Sequence, residues 1–359
     1  MLEKTKIVLN FILKISVMIL LLINPFISIS IAETDNLPYY ILIDNNTGNV
    51  IKENHPDHPC HPASLTKLMT SYVVFSLLKR KKISLATPIF ISKHASIQEP
   101  SKSPFNQGRV LTLDNALKLL NVKSANDIAV AIAESIYGTE SKFVEQMNNI
   151  AKKMRLSSTN FMNSNGITKY GHYSTARDMA ILSWRIKTEF PQYLNYFKIK
   201  GITIDGKQYP NTNWAIGTYP GADGMKTGFT CASGFNIIVS ASQNEKSVIA
   251  VVLGATDRNI RNNVSKNLLS IGLNNKTNKQ IPNHIIKNSY KQDLSDEVTD
   301  LSAKVCISTN NSINYQAYIN EVNEKKKYFD NFDVITLLDN AKSYKQANDH
   351  DKKHNTHIL

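Results

Sequence analysis

A chain of 359 residues exceeds what one ordinary hydrophobic core holds, so one large domain with a small appendage is expected. The formal charge of +13 points to an anionic partner. No motif or interleaving of basic and aromatic residues supports nucleic acid, so the anionic candidates for an exported chain are wall polymer and lipid. The three cysteines, Cys60, Cys231 and Cys306, exclude complete pairing within one chain.

Residues 1–32 read as a removable secretory signal. Lys4, Lys6 and Lys14 give a positive start, and the apolar run Ile15–Ile23 is too short to span a bilayer. Asn24 and Pro25 interrupt that run, and Ser30-Ile31-Ala32 offers small residues at a cleavage site. The alternative is a retained membrane anchor. No cysteine directly follows the cut, which argues against a lipoprotein. The mature chain then starts near Glu33 and is expected to be exported across a membrane.

Tyr39–Asp44 is strand-like and turns at Asn45-Asn46-Thr47-Gly48 into a second short strand. A proline-rich loop, His55–Pro62, leads into a helix that places Leu65, Leu68, Met69, Tyr72 and Phe75 on one face and Ser64, Lys67 and Ser71 on another. His55, His58 and His61 would share one face of a polyproline II stretch, with Cys60 beside them. An exposed loop is preferred there over a metal site. A Cys60–Cys231 disulfide is conceivable, because both cysteines lie close to motif residues, but two buried thiols are the preferred reading.

Helices are expected over Leu113–Val122, Asp127–Tyr137, Lys142–Arg155 and Ala176–Phe190. Thr175 is the N-cap of the last, with Asp178 as a weak capping-box partner. Strands Phe235–Ser242 and Val248–Leu253 follow, joined at Gln243-Asn244-Glu245-Lys246, then a helix over Ile260–Ile271. Strands, helices, strands, helix predict an α/β (α+β) fold: an antiparallel sheet whose first and last strands come from opposite ends of the domain, with a helical block inserted between them. The catalytic unit is placed at 33–273. Strand-like patches at Ala303–Ser308 and Ile313–Tyr318 suggest a small β-rich module over 274–341. Residues 342–359 read as a disordered tail.

Three short patterns occur in order: Ser64-Leu65-Thr66-Lys67, Ser124-Ala125-Asn126 and Lys226-Thr227-Gly228. Each alone is weak, and a second S-x-x-K stands at Ser76–Lys79. Their contexts differ usefully: a helix start, a break between helices and an edge-strand region, which can surround one cleft. A serine hydroxyl needs an adjacent base, and Lys67 lies one helical turn from Ser64. Lysine acts as a base only when burial and a second cation lower its pKa, and Lys226 is that second cation. Ser124 is placed to relay a proton, Asn126 to hold the substrate amide, and the helix start to favour an oxyanion. This chemistry requires neither metal nor cofactor.

Pro62–Lys67 (PASLTK), Ser124–Asp127 (SAND), Tyr173–Ala180 (YSTARDMA) and Asp223–Thr230 (DGMKTGFT) resemble the low-molecular-mass penicillin-binding proteins, within them the D-alanyl-D-alanine carboxypeptidases of serine peptidase family S11. The resemblance covers Leu37–Leu273 and implies the β-lactamase/transpeptidase-like fold. It implies stem peptides ending in D-Ala-D-Ala as substrates and β-lactams as covalent ligands. It implies Ser64 as nucleophile, Lys67 as proton acceptor and Ser124 as relay. Lys226 and Thr227 of the K-T-G strand would hold the terminal carboxylate, and the Phe229 N–H would join that of Ser64 in the oxyanion hole. Arg261, within Gly254–Arg261, falls where the family places a further basic residue. The hydrophilic C-terminus lacks an apolar stripe, which puts membrane docking in doubt. Three other readings compete with this one. A class A β-lactamase lacks its deacylating glutamate here. A DD-endopeptidase would share the fold. A non-catalytic wall-binding module would not be expected to keep every catalytic residue.

Overall fold

The computed structural model describes residues 38–274 and 294–307. Its centre is a five-stranded antiparallel sheet of order β2-β1-β9-β8-β7, built from β1 (Tyr39–Asp44), β2 (Val50–Asn54), β7 (Ala222–Thr230), β8 (Gly234–Gln243) and β9 (Lys246–Ala255). The first strand pairs with the last: Tyr39 lies opposite Leu253 and Asp44 opposite Val248. Alternation along these strands divides the core between the two faces. Ile41, Ile43, Ile249, Val251 and Leu253 face the helical block. Leu42, Val248, Ala250 and Val252 face the opposite side. There they meet Leu268, Leu269 and Leu273 of the helix Arg258–Asn274.

The turn from β8 to β9 holds Asn244 and Glu245, both with positive φ (47° and 65°), as a two-residue hairpin with a right-handed twist requires.

Between the halves of the sheet stand α1 (Lys67–Lys79), the short α2 (Lys93–Ser96), α3 (Leu113–Lys118), α4 (Asn126–Tyr137), α5 (Glu140–Lys153), α6 (Ala176–Glu189) and the short α7 (Asn195–Lys198); the helix after β9 is α8. Thr139 caps α5 and Thr175 caps α6, each hydroxyl accepting an N–H three residues on. Asp178 does not complete a capping box. Its carboxylate accepts from the Ser158 N–H and the Thr159 hydroxyl instead.

Several expectations are corrected. The helix expected over Leu113–Val122 is α-helical only to Lys118 and continues as a π-helical turn, Leu119–Lys123. Two small hairpins escaped the sequence reading: β3 (Pro88–Phe90) with β4 (Val110–Thr112), and β5 (Gly201–Ile204) with β6 (Lys207–Pro210). The strand expected at Ala303–Ser308 is a π-helical turn over Ala303–Ile307. It buries Val305 beside Phe235, Ala255 and Leu301. Cys231 is bonded to Cys306, so neither the Cys60–Cys231 pairing nor the pair of free thiols holds. Cys60 is free and buried.

The histidines of the proline-rich loop serve separate partners. His58 stacks on Tyr39 and meets the Thr299 hydroxyl at 2.7 Å, while His61 Nδ1 meets the His172 carbonyl at 3.1 Å. Residues 1–37, which include the expected signal, the patch at Ile313–Tyr318 and the tail 342–359 lie outside the described residues. Among the described residues no helix is long and apolar enough to cross a membrane.

Candidate active site

Ser64 sits in a 3-10 turn, Ala63–Thr66, that runs directly into α1. The turn starts with Ala63 at φ +49°, a strained conformation for a residue with a Cβ and one that clusters at functional sites. Lys67, the first residue of α1, is fully buried. Its Nζ lies 2.8 Å from Ser64 Oγ, 2.6 Å from Asn126 Oδ1 and 2.5 Å from the Asn165 carbonyl. Nζ donates to all three oxygens; once deprotonated, it can keep its bonds to the amide and carbonyl oxygens and turn its lone pair to the serine hydroxyl. Burial is the main influence that pushes Lys67 well below its ordinary pKa; the charge of Lys226 adds to it and Asp127 opposes it.

The second wall comes from the break between the π-helical turn and α4. Ser124 adopts the left-handed conformation, φ +63°, which directs the chain from one helix into the next. Its hydroxyl accepts from Lys226 Nζ at 2.7 Å, and the same ammonium reaches the Thr227 carbonyl at 3.0 Å. Burial lowers Lys226 to about 7. Asn126 is held at both ends, since its Nδ2 donates to the Glu99 carbonyl at 2.8 Å. Its visible task is therefore to fix Lys67. Asp127 accepts from the Ser103 N–H and hydroxyl, which anchors the start of α4.

The third wall is β7, the sheet edge left free on its outer side. Lys226, Thr227, Gly228 and Phe229 follow one another there. Thr227 Oγ1 donates to Thr212 Oγ1 at 3.0 Å. A Cβ at Gly228 would come within 2.9 Å of the Pro62 carbonyl and 3.1 Å of the Ser64 nitrogen, so glycine lets the strand lie against the start of the catalytic turn. Phe229 is exposed, its ring tilted against Phe235 with centroids 4.4 Å apart.

The structure thus gathers Ser64, Lys67, Ser124, Asn126, Lys226, Thr227 and Gly228 around one cleft. Arg261 lies on α8, buried, its guanidinium donating to Asn262 Oδ1.

Two contributors escaped the sequence reading. Asn165 supplies a carbonyl to Lys67. Gly166, at φ +92°, lies so close to the turn that a Cβ would stand 1.9 Å from the Ala63 oxygen. The Asn-Gly dipeptide in Asn163–Gly166 was the available signal, as a turn former. His172 also supports the turn: the Met162 N–H faces its Nδ1, which leaves Nε2 to donate to Thr66 Oγ1 at 3.0 Å. A cavity of about 380 Å³ opens at the other end of α1, between Lys79, Arg80, Lys153 and Arg185; the second S-x-x-K, Ser76–Lys79, lines it, and Ser64, Lys67, Ser124 and Lys226 do not.

Such a site suits acyl transfer. A half-buried hydroxyl faces a buried amine whose pKa is lowered, a second hydroxyl bridges to a cation, and strand and helix-start N–H groups are near where an oxyanion would form.

The comparisons with known proteins agree with that chemistry. Residues 33–257 match the peptidase S11 family, described as D-alanyl-D-alanine carboxypeptidase. The chain is 36 % identical over 242 residues to the D-alanyl-D-alanine carboxypeptidase DacC of Escherichia coli, a match covering 65 % of this chain and 60 % of that protein. It is 36 % identical over 230 residues to DacF of Bacillus subtilis, covering 62 % and 58 %. The chain therefore spans about 60 % of the length of these curated relatives. Among solved structures, penicillin-binding protein 5 of Haemophilus influenzae matches with a TM-score of 0.64 and 34 % identity, over 66 % of this chain and 70 % of that one. Penicillin-binding protein D2 of Listeria monocytogenes, in its cefotaxime-bound form, gives 0.60 and 27 %, over 66 % and 97 %. These neighbours share the antiparallel sheet with its inserted helices. By its sequence match and its fold, the chain belongs to the S11 family of D-alanyl-D-alanine carboxypeptidases.

Proposed function

We propose that the protein is a serine-type D-Ala-D-Ala carboxypeptidase of the periplasm, which removes the terminal D-alanine from peptidoglycan pentapeptides and is acylated by β-lactams at the same serine. The observation that carries this reading is the 2.8 Å contact between a fully buried Lys67 amine and Ser64 Oγ. Lys67 takes the Ser64 proton as Oγ bonds to the penultimate carbonyl carbon, and the N–H groups of Ser64 and Phe229 receive the oxyanion. The C–N bond then breaks. Ser124, bridged to Lys226, relays the proton taken up by Lys67 to the departing D-alanine amine, and Lys226 and Thr227 hold its carboxylate, with Arg261 as a further basic group near it. Water hydrolyses the Ser64 ester to regenerate the enzyme. Asn126 positions Lys67 and borders the substrate amide, and no metal or cofactor takes part. A leader at residues 1–32 directs export, and the basic surface faces anionic wall polymer.

The test is the purified protein with a pentapeptide muropeptide, products identified by mass. Loss of one alanine is expected, and Ser64→Ala abolishes both that loss and fluorescent-penicillin labelling. Ser76→Ala changes neither. Cleavage of cross-linked dimers alone would replace this reading with an endopeptidase. Labelling that followed Ser76 would end it.

A further inference from the structure

Residues 294–306 lie beyond the family match, which ends at 257, yet they bind three segments that border the cleft. On the loop leading to Ser64, Thr299 pairs in parallel with Cys60, its hydroxyl meets His58 Nε2 at 2.7 Å, and Asp300 interacts electrostatically with His61. On the turn that ends β7, the Leu301 N–H donates to the Ala232 carbonyl at 2.9 Å and Cys306 is bonded to Cys231. Leu301 and Val305 pack on Phe235, which lies opposite Phe229 in the β7–β8 register. On the loop after Gly166, the Tyr170 hydroxyl donates to Asp296 Oδ1 at 2.9 Å, and the Leu294 N–H donates to the Tyr173 hydroxyl at 3.3 Å. The first two segments carry the backbone N–H groups of Ser64 and Phe229.

We propose that residues 294–306 are a positioning strap for the oxyanion hole, anchored by the Cys231–Cys306 bond, which fixes the separation of the Ser64 and Phe229 N–H groups. This rests on the carboxypeptidase reading. Thr299, Leu301 and the disulfide are positioning residues. They touch no reacting atom and act through the two backbones they join. Oxyanion-hole donors act mainly on the transition state, so loosening the strap slows the acylation step and leaves ground-state binding nearly unchanged.

The experiment compares the protein with its bridge intact, the same protein reduced by a dithiol, the Cys231→Ser/Cys306→Ser variant and Thr299→Val. Reduction takes two electrons and two protons from the dithiol and leaves two cysteine thiols. Saturation kinetics with a fluorescent penicillin separate the acylation rate constant from the Kd of the preceding complex. Hydrogen exchange is followed at the amides of residues 58–64 and 229–234. On reduction and in the serine variant, the rate constant is expected to fall by about tenfold while Kd stays within about twofold. Thr299→Val falls in the same sense, and both amide stretches exchange faster. Reoxidation restores the wild type and leaves the serine variant unchanged.

An unchanged rate constant, or a loss confined to Kd, overturns the strap, as does unaltered exchange at both stretches. Should the serine variant fail to fold, reduced wild type and Thr299→Val give the same decision. Absence of labelling with the bridge intact counts against the carboxypeptidase reading alone, and the exchange data still decide the strap.

Discussion

Lys67 and Lys226 are buried within electrostatic reach of each other, and the proposed chemistry needs them in opposite states: Lys67 neutral to accept a proton, Lys226 charged to hold a carboxylate. Burial lowers both. Activity therefore rises with pH as Lys67 loses its proton, and falls as pH climbs through about 7, where free Lys226 loses its own. The expected kcat/KM profile is a bell whose alkaline limb belongs to Lys226. In the kcat profile that limb moves to higher pH, because a bound carboxylate restores the charge. Lys226→Arg should remove the alkaline limb, since a guanidinium stays protonated; a persisting limb would assign it to another group. Lys67→Arg should lose roughly 10²- to 10⁴-fold in kcat/KM, because the base is gone, and substantial turnover would contradict Lys67 as proton acceptor.

His172 offers a test on stability rather than rate. Burial lowers it to about 3, against an ordinary 6.5. Between those values the unfolded chain binds the proton and the folded chain does not, so its contribution to stability is lost as pH falls from about 6.5 toward 3. Chemical denaturation across that window should show wild type losing stability faster than His172→Gln. Asp178, whose carboxyl is raised to about 6 by burial, acts in the opposite direction in both proteins and drops out of the comparison.

At the scale of elements, the cleft depends on two close backbone approaches to one 3-10 turn. Gly228→Ala should push β7 away from Pro62 and Ser64, lowering the penicillin acylation rate well before it lowers Tm. Equal losses in both would show that the approach serves only packing. Gly166→Ala meets the Ala63 carbonyl and an unfavourable φ together, and should cost on the order of 2–4 kcal/mol of unfolding free energy, measurable by urea titration. The sequence made the first kind of feature legible and left the second hidden. Ser64 and Lys67 declare themselves because a helical turn imposes their spacing, and Lys226-Thr227-Gly228 because side-chain chemistry sits on a strand. Asn165 contributes a carbonyl and Gly166 an absence of bulk; the Asn-Gly pair signals a turn, but nothing in it says which side chain that turn will meet. Ala303–Ser308 misled for a related reason. Its alternation suits a strand, but a helical turn buries Val305 and needs no neighbouring strand to satisfy its backbone.

Across the whole molecule, the pairing of Cys231 with Cys306 could not be read from the chain, since three cysteines permit three pairings and only the fold brings these two together. Their separation of 75 residues closes a long loop, which in chain-entropy terms is worth at most about 4.5 kcal/mol. Reduction should therefore lower Tm by on the order of 10 °C, read by calorimetry with and without a dithiol. The pairing of β1 with β9 has a further consequence. Tyr39 cannot find Leu253 until more than two hundred intervening residues have left the ribosome, so the central sheet closes only when the domain is nearly complete. Until then β1 and β2 form a hairpin with one apolar edge unclaimed. Folding dominated by so distant a contact is slow and open to self-association, and a partly synthesised chain should be a better chaperone client than the finished protein.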